Sequence, residues 1–117
     1  MTHTNIHRGQ VFYVNLGESD GSSVQAGIRP AVVISNEACN RFSPVISICA
    51  LSSRIKKNNI PTHVFLSANE TGLNRDSICL CEQPMTIARD RLLEHVTTLS
   101  DKHIEKISNA LRIQLAL

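Results

Sequence analysis

The ten residues QAGIRPAVVI, positions 25–34, decide how the rest of the chain is read. Ala31 to Ile34 are apolar at every position, so neither face of that segment can meet water, which is the pattern of a strand in the middle of a sheet. The stretch leading into it, GESDGSSVQAGI at positions 17–28, is rich in glycine, serine and aspartate. Such a stretch cannot continue a strand and predicts a long exposed loop, a length often tied to function. Arg29-Pro30 therefore marks the point where a flexible segment gives way to a rigid one.

Upstream, Gln10 to Leu16 alternates, with Phe12, Val14 and Leu16 on one face and Val11, Tyr13 and Asn15 on the other, the period of a half-buried strand. Downstream, Asn36 to Pro44 reads as a turn or short helix. Val45 to Ser52 is a third strand, with Ser47, Cys49 and Leu51 beside Val45 on one side and Ile46, Ile48, Ala50 and Ser52 on the other. Arg54 to Asn59 is a basic polar turn. His63–Leu66 and Ser77–Gln83 are two further short strands, separated by a turn at Asn69-Glu70-Thr71-Gly72, and Cys79 and Cys81 share a face. Val96 to Leu99 is a sixth, brief strand.

Ser100 and Asp101 then open a helix whose apolar stripe is Ile104, Ile107, Leu111 and Leu115. Short strands with turns between them, rather than βαβ units, predict a mainly β (α+β) fold. The expected form is a small, bent, barrel-like antiparallel sheet of SH3-like kind with short flanking helices and a C-terminal amphipathic helix.

The 117 residues fit one domain, expected over residues 8–117 behind a flexible tail at 1–7. Hydrophobic residues at 42% and charged residues at 19% exclude a disordered chain, while a net charge of +2 is too small to name a partner. Met1 to Arg8 lacks the apolar core of a signal peptide, and no apolar run approaches the roughly 20 residues that span a bilayer, so a cytoplasmic location is expected. Cys39, Cys49, Cys79 and Cys81 contain no CxxC pair and read as small buried apolar side chains rather than disulfides or zinc ligands. No set of Asp, Glu, His or Cys stands at metal-ligand spacing, and there is no Walker loop, dinucleotide glycine pattern or HExxH, so no metal or cofactor is expected.

Candidate chemistry is thin when residues are taken singly. Arg29 offers a planar fork of donors that fits a phosphate, although a strand-end salt bridge is the commoner use of such a residue. Ser52 and Ser53 end the third strand, where a hydroxyl beside an arginine could hold a phosphate oxygen or simply serve the turn. Arg54, Lys56 and Lys57 form a basic turn suited to a nucleic-acid backbone or to solvent. His63 has the ordinary pKa of a general acid or base, but its apolar neighbours also suit a packed strand histidine. His3 and His7 lack further ligands and receive no role.

Taken together, the motifs resemble the MazF/PemK toxin family. The resemblance rests on Arg8-Gly9-Gln10-Val11, on Gln25 through Ile34, on Asn40-Arg41-Phe42-Ser43-Pro44, on Ile60-Pro61-Thr62-His63-Val64, and on Glu82-Gln83 with Thr86-Ile87 and Arg91-Leu92. It covers the chain from about residue 8 to the C-terminus. It implies the toxin of a type II toxin–antitoxin system, a homodimer that cleaves single-stranded mRNA at specific sequences in the cytoplasm without a metal.

The implied partner is a MazE-like antitoxin with a flexible acidic segment. The implied catalytic pair is Arg29 and Ser52, with Gln25, Ser53, Arg54, Lys56, Lys57 and Gln83 binding RNA. The implied reaction is attack of a 2′-hydroxyl on its own phosphate, leaving a 2′,3′-cyclic phosphate and a 5′-hydroxyl. The chain departs from the family pattern at Val24, where many relatives carry a glutamate, and Glu18 or Asp20 could take its place. Two other readings stay open: a non-cutting toxin of the same fold that binds DNA gyrase, and an inactive nucleic-acid-binding barrel.

Overall fold

The computed structural model describes residues 5–55 and 60–117. Six antiparallel strands form one sheet: β1 (Gln10–Asn15), β2 (Ile28–Val33), β3 (Val45–Ser52), β4 (His63–Leu66), β5 (Ser77–Ala88) and β6 (Leu92–Thr98), in the order β4-β5-β3-β2-β1-β6. Three helices accompany them: α1 (Glu37–Phe42), α2 (Ala68–Thr71) and α3 (Asp101–Leu115). The Asn36 side chain caps α1 by accepting from Cys39 N, and Gly72, at φ 81°, ends α2 in the left-handed conformation that glycine adopts without strain.

Both faces of the sheet are buried, which is why Ala31 to Val33 had to be apolar throughout. On one face Val11, Val32, Cys49, Leu51, Cys79 and Cys81 pack beneath α3, which contributes Ile107 and Ala110. On the other face Phe12, Val14, Ala31, Val33, Ile46 and Ile48 gather around Ile6 and Leu92. The sheet curls until its edges approach: the Thr97 hydroxyl on β6 donates to the Thr71 carbonyl, just beyond β4, at 2.8 Å. The mainly β, bent and barrel-like architecture expected from the sequence is the one observed.

Several boundaries move. β5 runs on through Pro84 to Ala88 instead of stopping at Gln83. Proline survives there because it stands opposite Cys49, where the β3–β5 register breaks before resuming at Leu51 opposite Cys79, and its missing N–H costs the ladder little. β6 begins at Leu92 rather than Val96, and β2 begins at Ile28. The turn expected at residues 69–72 overlaps α2 and its glycine cap. In α3 the buried residues are His103, Ile107 and Ala110, with Ile104 and Leu111 packed at the margin, whereas Leu115 is 53% exposed.

Ile6 is buried and His7 bonds Glu37 at 2.8 Å, so the packed chain starts upstream of residue 8. Arg8 ties this start to the far end of the chain, donating to Ile34 O and to Ser108 Oγ, each at 3.0 Å. Gly9, at φ 92°, lies against Ile104.

Candidate active site

The ends of β2 and β3 carry the two residues singled out for catalysis. β2 and β3 pair Val33 with Ile48, Val32 with Cys49 and Ala31 with Ala50. Carrying that register two residues further sets Arg29 opposite Ser52, at the same edge of the sheet. Arg29 is exposed, and its Nε donates to Ala26 O at 3.1 Å, so the loop backbone anchors one side of the guanidinium. The Ser52 hydroxyl accepts from Arg54 N at 3.2 Å, a local turn that holds it at the strand end.

Arg29 and Ser52 do not share a recess in this structure. Arg29 borders two: one with Tyr13, Ser53 and Arg75, and one formed by the loop at residues 17–27. Ser52 opens onto a third, of about 210 Å³, with Gln25, Arg54, His63 and Glu82. Gln25 borders both the loop recess and the Ser52 recess and so bridges the two catalytic candidates.

Gln83 has a structural role that sequence reasoning missed. Its Oε1 accepts from Gln25 N at 3.0 Å and its Nε2 donates to Ser23 O at 3.1 Å, latching the long loop to β5. Both ends of its amide are thus engaged with backbone, and the loop that carries Gln25 is held over the site. Lys56 and Lys57 lie outside the described residues, which leaves Arg54 as the described member of the basic turn.

Behind Ser52, His63 Nε2 bonds Glu82 Oε2, while Glu82 Oε1 is buried and has no hydrogen-bond partner among the described residues. The pairing follows from β4 lying against β5, with His63 opposite Leu80. Of the two acidic loop residues weighed as substitutes at the Val24 position, Glu18 borders the same recess as Arg29. Asp20 accepts from Ser22 N at 2.8 Å, and its hydrogen bonds with Ser22 lower its carboxyl pKa, which weakens it as a base. Val24 itself is exposed.

The fold also assembles a group that sequence spacing did not reveal. Among the described residues, Cys49, Cys79 and Cys81 place their sulfurs within 4.8 Å of one another, close enough to share a metal ion. The expectation of small buried side chains holds for these three, whereas Cys39 is half-buried; their meeting across two strands was not foreseen. The reason is topological, since Cys79 and Cys81 are two apart on β5 and Cys49 comes from β3. Hydrogen bonding with Cys49 and Cys79 holds the Cys81 thiol below the ordinary cysteine value. For Cys49 the Cys79 hydrogen bond acts downward, but the bond with Cys81 and burial outweigh it and push the thiol up to about 12.

A family profile described as "PemK-like, MazF-like toxin of type II toxin-antitoxin system" matches residues 7–115. Over 112 residues, 96% of each chain, the sequence is 42% identical to endoribonuclease EndoA of Bacillus subtilis (strain 168). An endoribonuclease in complex with its cognate antitoxin, from a mycobacterial species, superposes with a TM-score of 0.79 at 25% identity over 97% of both chains. MazF from Deinococcus radiodurans has a TM-score of 0.80 at 22% identity, covering 96% of this chain and 97% of that one, and bears on the fold alone.

Proposed function

The chain belongs to the PemK-like, MazF-like toxin family of type II toxin–antitoxin systems, and from that premise we propose that it is an endoribonuclease cutting single-stranded mRNA at specific sequences in the cytoplasm. The observation that carries this reading is the convergence of Arg29 and Ser52 at neighbouring strand ends, with open recesses on both sides. Among the described residues no helix is long and apolar enough to cross a membrane.

In the proposed reaction the substrate's own 2′-hydroxyl attacks the adjacent phosphorus. The 2′-oxygen loses its proton, the bond to the 5′-oxygen breaks, and that oxygen leaves as a hydroxyl, giving a 2′,3′-cyclic phosphate. The phosphorane carries more negative charge than the diester. A guanidinium anchored at Nε can direct its remaining donors at two phosphate oxygens as that charge grows, and this is where most of the rate arises. The Ser52 hydroxyl donates to one of the same oxygens. Gln25, Ser53 and Arg54 hold the flanking nucleotides, and the loop latched by Gln83 forms one wall of the channel. Glu18, which shares the Arg29 recess, is the loop carboxylate placed to accept the proton.

The direct test incubates pure protein with a long RNA and maps the new ends. Cleavage at a restricted set of sequences, with cyclic-phosphate and 5′-hydroxyl ends and unchanged in excess EDTA, is the expected result. Ends bearing 5′-phosphate, or activity lost to EDTA and restored by Mg²⁺, would overturn the proposed chemistry.

The protein is further proposed to be a homodimer, silenced by a MazE-like antitoxin whose acidic flexible segment folds onto the Arg29–Arg54 edge. A positively lined groove readily accepts such a segment. Exposed apolar side chains at the end of α3, with Ile113 at 58% and Leu117 at 87%, and Phe42 on α1 at 77%, leave surface for association. Elution at twice the chain mass at micromolar concentration is expected, and a monomer there would refute the dimer.

A further inference from the structure

We propose that Cys49, Cys79 and Cys81 form a binding site for a thiophilic divalent cation, zinc in the first instance, that pins β5 to β3 where their register breaks. A cation about 2.3 Å from each of three sulfurs needs those sulfurs about 4 Å apart. Here Cys79 and Cys81 are 3.7 Å apart and all three lie within 4.8 Å, so the cage requires only small side-chain adjustments. The donors are soft, fully buried and supplied by two strands that the sheet already holds in place.

The second observation is the Glu82 carboxylate. Its Oε1 is buried with no hydrogen-bond partner among the described residues, and its negative charge is felt at both Cys49 and Cys81. His63 takes the other carboxylate oxygen, so a buried acceptor oxygen beside Cys49 and Cys81 is left that favours a cation nearby. The same argument selects the valence. Three thiolates around a divalent ion leave one net negative charge, whereas around Cu(I) they leave two, in a pocket that already holds Glu82. On binding, the S–H bonds are exchanged for S–metal bonds and the protons leave to solvent.

The three sulfurs are set apart from Ser52, although Glu82 also borders the Ser52 recess. Cys49 and Leu51 face the core beneath α3, whereas Ser52 lies on the opposite face of β3.

The test titrates the reduced full-length protein with Cd²⁺ and reads sulfur-to-metal charge-transfer absorption, with Zn²⁺ as competitor and ¹¹³Cd NMR on the wild type. One cation per chain, a resonance in the strongly deshielded range of multi-thiolate sites, and displacement by Zn²⁺ are expected. Cys39→Ala, on α1 and away from the cluster, should bind as the wild type does. Cys81→Ala should weaken binding by roughly 100-fold or more. Absence of charge-transfer absorption, a ¹¹³Cd shift typical of oxygen and nitrogen ligands, or equal binding by Cys81→Ala would each overturn the site. The NMR measurement decides the matter without a variant, so it stands even if the buried substitution impairs folding.

Discussion

Replacing Arg29 by alanine should slow RNA cleavage roughly 10²-fold to 10³-fold, about 3 to 4 kcal/mol of lost transition-state stabilisation, while the melting temperature stays near that of the wild type. The asymmetry arises because the side chain is exposed and its hydrogen bond to Ala26 O is local. A contact of that kind is worth about 0 to 1 kcal/mol to the fold. Arg29→Lys should not recover the rate, since an ammonium keeps the charge but loses both the fork and the Nε donor that anchors it. Ser52→Ala should show a smaller defect, and Ser52→Thr should remain active if the hydroxyl alone matters. Wild-type cleavage by Arg29→Ala in a single-turnover assay would remove the catalytic assignment.

Gly9→Ala should destabilise the fold by about 2 to 3 kcal/mol, lowering the melting temperature by roughly 10 °C. Two terms combine. Gly9 has φ 92°, which side-chain-bearing residues rarely adopt, and an added Cβ would lie 2.4 Å from Ile104 Cδ1 and 2.9 Å from Cγ1. Gly17 separates them, because it has φ 85° but nothing within 4 Å of an added Cβ. Gly17→Ala should therefore show the backbone cost alone, about 1 kcal/mol. Shortening the obstructing side chain with Ile104→Val should restore part of the loss in the double variant. Equal melting of Gly9→Ala and Gly17→Ala would show that the N-terminal segment does not pack on α3 in this way.

Local signals carried much of the fold. The alternation of Gln10–Leu16, the doubly apolar Ala31–Ile34 and the stripe that opens at Ser100 each belong to one segment, and each became the element expected. What failed was non-local. Pro84 reads as the end of a strand because a proline cannot donate to a ladder, and only the register break opposite Cys49 makes it harmless. Leu115 fits the helical stripe but lies beyond the surface that the sheet offers. The meeting of three thiols from two strands has no signature in residue spacing.

The candidate site divides in the same way. Resemblance to a family points to Arg29 and Ser52, and the β2–β3 register brings them to the same edge of the sheet. The Gln83 latch depends on where a long loop comes to rest, which no local pattern encodes.

The pairing of β1 with β6 also constrains how the molecule comes into being. Gln10 is matched with Thr98, and Arg8 bonds Ser108, so the second strand from the edge of the sheet stays without its outer neighbour until almost the whole chain exists. Closing so long a loop is entropically slow, and during synthesis the exposed edge of β1 must wait. A chain arrested partway through translation would therefore lack both β6 and the cover of α3, and the completed sheet belongs to the finished polypeptide alone.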